Sequence, residues 1–306
     1  MDNRGVARQV PLTDAAGTPT ELLEREGELA ALDECLEMVR HGSQGRLVLV
    51  SGESGVGKTA LLRRFAEECD RSARILWGGC DPLFAPRPLG PLLDVAESTG
   101  GELEEIVESP VLPHEVVAAL ARELQARAPT VLVLEDLHWA DEATLDVVRL
   151  LARRVETVPS LIVASYRDDN VAPSHPLRIV LGELATNQAI KRLKLAALSP
   201  AAVAQLAEPY GVDASELYRK TAGNPFFVVE VLATGVDEVP DTVRDAIFAR
   251  AARLCRPCRG SGRAARPPPP PRPGPLVSLP SSDSFRRAAG ARHASPPSRP
   301  CCHRHQ

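Results

Sequence analysis

The chain has 306 residues, 44% of them apolar, 25% charged and 4% aromatic, with a formal charge of −4. That is globular material for one to three domains with a sizeable core. No stretch approaches the roughly 18 uncharged apolar residues of a membrane helix, and the first residues lack the apolar segment of a secretory signal. An integral membrane protein is therefore excluded and a cytoplasmic location expected. The charge is uneven. From Cys255 onward there are ten arginines, no lysine, 12 prolines and one acid, Asp283, a net +9 that leaves −13 for residues 1–254. So acidic a body is poorly suited to nonspecific binding of nucleic acid.

Residues 1–20 show no periodicity and are expected to form a flexible arm. From Glu21 the pattern becomes helical, with Leu29, Leu32, Leu36 and Val39 three and four apart, until 41–45 break it. Arg46 to Val50 predicts a buried strand, 51–57 a glycine-rich turn, and Lys58 to Cys69 a helix. Ile75 to Trp77 predicts a second strand, and the proline-rich Asp81–Pro91 a loop. Val116 to Ala126 predicts a helix, Val131 to Leu134 a strand, Asp141 to Val155 a helix, Leu161 to Ala164 a strand, and Arg192 to Leu195 a short one. Strands alternating with helices predict a parallel α/β sheet covered on both faces. After Ser199 only helical patterns remain, with starts marked by Ser199-Pro200 and Pro240-Asp241. All periodicity ends at Leu254, and five consecutive prolines, Pro267 to Pro271, exclude a helix or central strand there. The expected organisation is an α/β core over 21–198, a small helical domain over 199–254 and a disordered tail over 255–306. Cys35, Cys69 and Cys80 sit in helix-like or strand-like runs and read as buried structural thiols.

The strongest chemical signal is Gly52-Glu53-Ser54-Gly55-Val56-Gly57-Lys58-Thr59, a complete G-x-x-x-x-G-K-[ST] between a predicted strand and a predicted helix. Its glycines let the backbone curl so that successive N–H groups face phosphate oxygens, and the helix N-terminus adds partial positive charge. Lys58 is expected to reach the β and γ phosphates, and the Thr59 hydroxyl to ligate Mg²⁺. The second signal is Glu135-Asp136 at the end of an apolar strand, where two carboxylates are costly unless a cation or polar site meets them. As a Walker B pair, Glu135 would hold Mg²⁺ and Asp136 would orient or deprotonate the attacking water; the plainer reading is an acidic pair opening a loop. His138, just beyond, reads as structural rather than catalytic.

The segment Leu134-Glu135-Asp136-Leu137-His138-Trp139-Ala140-Asp141-Glu142-Ala143-Thr144-Leu145-Asp146 resembles the Walker B region of large ATP-binding regulators of the LuxR family, STAND-type relatives of the AAA ATPases. Three further segments agree. Leu22 to Leu29, with Arg25, resembles the family's N-terminal motif near the adenine. Tyr166-Arg167-Asp168-Asp169 resembles its sensor 1 segment, and Gly223-Asn224-Pro225-Phe226-Phe227 the G-x-P motif of its helical lid. The resemblance covers about residues 20–254. It implies a P-loop core of the additional-strand class followed by a helical lid, ATP and Mg²⁺ as ligands, and self-association through the NTPase domain. It also implies that Arg167 senses the γ-phosphate and that Pro225 packs on adenine. The plainer readings are a surface ion pair of Arg167 with Asp168 or Asp169, and ordinary helix-start chemistry for Pro225 after Asn224. This chain departs from the family in carrying Glu24 where Gly usually precedes the arginine, and Glu135 where Asp is usual. Binding with slow hydrolysis is the expectation.

The tail holds Cys255, Cys258, Cys301, Cys302, His303 and His305, whose spacing is poor for a structural zinc site. A basic nucleic-acid arm or a proline-rich ligand are other readings. The preferred one is that 255–306 is a frameshift product and the chain a truncated regulator, since the family continues through helices to a helix-turn-helix. Sequence-specific DNA binding by this chain alone is then not expected. The competing functions are a nucleotide-operated switch, a stand-alone AAA-type ATPase of replication initiation or protein remodelling, and an inert remnant.

Overall fold

The computed structural model describes residues 22–234, except 43, 70–72, 84–86, 110, 111, 128, 170 and 173. The readings of the arm, of the helix start at Pro240 and of the tail, with its cysteines and histidines, lie outside the described residues.

Five parallel strands form one sheet: β1 (Arg46–Gly52), β2 (Arg74–Gly79), β3 (Thr130–Glu135), β4 (Ser160–Arg167) and β5 (Ile190–Lys194). Their spatial order is β2-β3-β4-β1-β5. The strand that enters the glycine loop, β1, is thus separated from β3 by β4. That inserted strand makes this a P-loop sheet of the additional-strand class.

The apolar runs read from the sequence are explained by burial on both faces. On one face Val48, Val50, Val131, Val133, Leu161 and Val163 pack with Leu32 and Leu36 of α1 (Glu26–Gly42) and with Leu61 and Phe65 of α2 (Lys58–Cys69). On the other, Leu47, Leu49, Leu132, Leu134, Ile162 and Ala164 meet α3 (Gly90–Thr99), α4 (Glu102–Val107), α5 (Pro113–Ala126), α6 (Glu142–Arg153) and α7 (Pro176–Glu183). Strand side chains alternate between faces, so a continuous apolar run serves both cores at once.

Helices α3, α4 and α7 were not expected. The loop expected to reach Pro91 ends sooner, because α3 begins at Gly90 and takes Pro91 into its first turn. Proline is tolerated there because the missing N–H would have no intrahelical partner. The expected start of α6 is confirmed in detail: the Asp141 carboxylate accepts from the backbone N–H groups of Ala143 and Thr144, an N-cap worth about 1 kcal/mol.

Beyond the sheet, α8 (Pro200–Ala207), α9 (Ala214–Thr221) and α10 (Pro225–Thr234) surround a separate small core of Leu198, Val203, Ala207, Leu217, Val228 and Val231. Ser199 caps α8 through its side chain, with Pro200 in the first turn. No helix among the described residues is long and apolar enough to cross a membrane.

Candidate nucleotide-binding site

The C-terminal end of β1 turns through residues 53–57 into α2. Gly55 and Gly57 have φ of +78° and +97°, a left-handed backbone that other L-residues enter at a cost of about 1–2 kcal/mol. A Cβ on Gly55 would also stand 2.8 Å from Phe226 Cβ and 2.9 Å from Asn224 Oδ1. Thr59 is the second residue of α2, beside the helix N-terminus.

Lys58 is buried, with 6% of its surface exposed. Its Nζ donates to the carbonyls of Gly52 at 2.9 Å and Glu53 at 2.8 Å, folding the side chain along the loop it follows. Burial pushes the ammonium below the ordinary lysine value. The Asp136 carboxylate opposes that shift, Arg167 adds to it, and Asp169 and Asp168 oppose it. Lys58, Asp136, Arg167, Asp168 and Asp169 therefore share one electrostatic neighbourhood.

Arg167 ends β4 directly opposite Gly52 in the β1–β4 register, so the sheet itself brings it to the loop. Asp168 forms an ion pair with Lys194, Oδ2 to Nζ 3.2 Å. A cavity of about 310 Å³ adjoins, lined by Glu53, Val56, Asp168, Asp169 and residues 194–197.

The two acids after β3 are held in different ways. Glu135 Oε2 accepts from the indole Nε1–H of Trp77 at 3.1 Å. Its Oε1 is buried with no hydrogen-bond partner among the described residues. Asp136 has a φ of +56°, and its backbone N–H donates to Ser165 Oγ at 3.0 Å. Its Oδ1 is 3.7 Å from Nδ1 of the buried His138, too far for a hydrogen bond. The His138 ring stands 4.8 Å from that of Trp139.

Arg25, expected near the base, is 4% exposed. Its guanidinium donates to three backbone carbonyls: Nη1 to Glu24 at 2.8 Å, and Nη2 to Ala196 at 2.6 Å and Val56 at 3.3 Å. It ties the segment before α1 to the glycine loop and to the chain leaving β5. Glu24 has a φ of +57°, which is why glycine would be at home there. Its carboxylate accepts from the Ser199 N–H at 2.8 Å and from the Ser199 hydroxyl. These bonds hold the carboxyl below the usual carboxylate range, the hydroxyl contributing most.

Pro225 opens α10. The flanking residues touch the loop: Asn224 Nδ2 donates to the Ser54 carbonyl at 2.9 Å, and the Phe226 N–H donates to the Gly55 carbonyl at 3.2 Å. Asn224 Oδ1 accepts from the Phe226 N–H at 3.2 Å, the cap chemistry expected for this start. Sequence reasoning missed Trp77 and Ser165, and it read Asn224 as a cap only. Trp77 carried a faint signal, as one of two tryptophans in the chain, set in an otherwise aliphatic strand.

Residues 21–163 match the family model described as AAA ATPase domain. That domain implies nucleotide binding, typically with Mg²⁺. The chain is 26% identical over 272 residues to the uncharacterized protein R02095 of Rhizobium meliloti (strain 1021), a match covering 73% of this chain and 26% of that protein. The chain thus spans about a quarter of that relative's length. Among solved structures it is similar to the Walker-type ATPase PABY2304 of Pyrococcus abyssi, with 16% identity and a TM-score of 0.49 over 76% of this chain and 75% of that one. It is also similar to the Aeropyrum pernix ORC1 protein in complex with DNA, with 17% identity and a TM-score of 0.48 over 77% and 66%.

Proposed function

We propose that residues 22–234 form an ATP-operated switch, binding ATP with Mg²⁺ and hydrolysing it slowly, and that it serves as the NTPase module of a LuxR-type transcriptional regulator. The observation that carries the switch is the seating of α10 on the phosphate-binding loop. Asn224 and Phe226 bond the carbonyls of Ser54 and Gly55, so a movement of that loop on taking up phosphates is felt by the lid directly. A ligand biases such an equilibrium through its different affinity for the two positions, and these two bonds are the link through which loop and lid would be coupled. The regulator assignment rests on four segments in the family's order: residues 22–29, 134–146, 166–169 and 223–227.

Within the module, Lys58 would exchange its two loop carbonyls for the β and γ phosphates, and the loop's N–H groups would cradle the rest. Arg167 would meet the γ-phosphate from the end of β4, and Pro225 would face the base. Arg25, spent on three carbonyls, supports the site rather than touching the nucleotide. The residues present fit a magnesium ion in one respect visible here: Glu135 Oε1 is a buried carboxylate oxygen without a hydrogen-bond partner among the described residues. Thr59, Glu135 and Asp136 would hold the ion, which when bound neutralises phosphate charge. No three His, Cys, Asp or Glu side chains gather as a metal cage among the described residues.

The test is a pair of variants in the full chain. Lys58→Ala should weaken ATP binding by at least tenfold, while Asp136→Asn should stop turnover and spare binding. Unchanged ATP affinity in the first variant overturns the nucleotide site, and undiminished turnover in the second overturns the role of Asp136.

A further inference from the structure

Trp77 lies on β2 opposite Val133 of β3, and Gly79 lies opposite Glu135. Residues two apart on a strand share a face, so Trp77, Val133 and Glu135 all belong to the face covered by α1 and α2. Val133 is part of the apolar core there, and the Trp77 ring packs against that core. Glu135 is the first residue past it. The two side chains are diagonal cross-strand neighbours, within reach of an aromatic ring and a long carboxylate. The indole Nε1–H donates to Glu135 Oε2 at 3.1 Å.

This contact answers a problem set by the sequence. Glutamate has one more rotatable bond than aspartate, and a carboxylate at the end of a buried strand must be both satisfied and aimed. A partly buried indole N–H needs an acceptor, and a carboxylate has one to offer. Gly79, directly opposite Glu135, presents no side chain in the way. With Oε2 tethered sideways to β2, the orientation of Oε1 is fixed, and Oε1 is the oxygen that finds no hydrogen-bond partner among the described residues.

We infer that Trp77 is a positioning residue for Glu135: its indole N–H holds one carboxylate oxygen so that the other is presented to the divalent cation, or to its water shell, that accompanies the nucleotide. The inference rests on the nucleotide-binding reading above. Partners that orient a carboxylate behind a metal site typically carry about 10–100-fold of metal affinity.

The test measures binding, not turnover, in the full-length chain. The affinity for radiolabelled ATP is titrated with MgCl₂ for the wild type, Trp77→Phe, Glu135→Gln and the double variant. Phenylalanine keeps the packing and removes the N–H. Trp77→Phe should leave ATP affinity in EDTA unchanged and raise the MgCl₂ midpoint for the magnesium-linked gain in affinity by about tenfold. In the double variant Trp77→Phe should add nothing to the effect of Glu135→Gln. An unmoved midpoint, or effects that multiply in the double variant, overturns the positioning role. A weakened affinity in EDTA also overturns it, because the ring then acts on the fold. A second measurement does not depend on replacing the ring. In a Trp139→Phe background, Trp77 emission should change on MgCl₂ addition to the ATP complex with the same midpoint as the affinity gain, and should not change when Glu135 is also replaced by Gln. Emission that ignores MgCl₂ overturns the inference. Wild-type chain that fails to bind ATP overturns the underlying reading instead, which separates the two failures.

Discussion

Asn224 makes two bonds of different kinds, and two substitutions separate them. Its Oδ1 caps α10 by accepting from the Phe226 N–H, and its Nδ2 reaches the Ser54 carbonyl of the phosphate-binding loop. The side chain is 7% exposed, so water does not replace what is removed. Asn224→Ala loses a cap worth about 1 kcal/mol and a hydrogen bond worth about 1 kcal/mol. The total of about 2 kcal/mol is a roughly 30-fold change in an opening equilibrium. Asn224→Asp keeps the cap, since the two residues are equivalent at that position, but turns a carboxylate oxygen toward the Ser54 carbonyl. It loses the loop bond and adds repulsion, at least about 1 kcal/mol or fivefold. The assay is amide hydrogen exchange of peptides covering 224–231, where local opening is read as faster exchange. Both variants should exchange faster than wild type, Ala by roughly 30-fold and Asp by at least about fivefold. An Asp variant that exchanges like wild type, with only the Ala variant accelerated, would refute the reasoning: the cap alone would then hold α10, and the lid–loop bond would carry nothing.

Three further outcomes follow from single contacts. Glu24→Gly and Glu24→Ala both lose the Ser199 bonds, but only glycine accepts the left-handed φ of +57°; in urea unfolding Gly should be more stable than Ala by about 1 kcal/mol, and Ala equal to Gly would mean that the backbone there relaxes freely. His175 caps α7 by accepting the Leu177 N–H at its Nδ1, and burial holds its protonation below the ordinary 6.5. The unfolded chain therefore binds that proton more readily, so stability is full above about pH 6.5 and declines as the pH falls through the depressed folded value. His175→Asn, a cap without titration, should flatten that slope in melting temperature against pH, and an unchanged slope would place the acid sensitivity elsewhere. Burial raises the Cys69 thiol to about 11 and the Cys80 thiol to about 12. Peptide-resolved iodoacetamide labelling at pH 8 should miss both in the native chain and find both in urea.

Strands β1, β3 and β4 were legible because each is an apolar run buried on both faces; β5, Ile190–Lys194, carries three basic residues and is only partly buried, and the expected span of Arg192 to Leu195 began two residues late and ended one late. Arg46–Gly52 runs two residues past the expected Val50, and Ser160–Arg167 begins one residue before the expected Leu161 and runs three past Ala164, to Arg167 at the site. Helices α3, α4 and α7 were not legible: α4 has six residues, too few for periodicity, and α3 and α7 open beside prolines that read as breakers. The glycine loop was legible because phosphate binding by backbone N–H groups needs contiguous residues. Trp77–Glu135 and Ser165–Asp136 were not, because each pair is joined by strand register across 58 and 29 positions of sequence. The left-handed backbone at Glu24 had an indirect trace, namely the glycine expected there from the family resemblance.

The positions of backbone strain bear on how the site is assembled. Four non-glycine residues among those described have positive φ: Glu24, Leu89, Asp136 and Ala222. Such residues persist only where surrounding contacts over-determine them. Glu24 is fixed by its carboxylate on Ser199, and Asp136 by its N–H on Ser165 Oγ. Ala222 closes α9 with its N–H on the Tyr218 carbonyl, one residue before the Gly223-Asn224 step onto the loop. The fourth, Leu89, donates its N–H to the Asp141 carboxylate that caps α6. Three of the four therefore mark the points where separate segments are bent toward one loop: the N-terminal segment, the end of β3, and the start of α10. Each costs about 1–2 kcal/mol, and each is held by a polar contact made outside its own segment or by a helix end. Three of them lie where separate segments converge on Gly52–Thr59, and Ser199 and Ser165 are the supports whose removal should loosen the site without touching it.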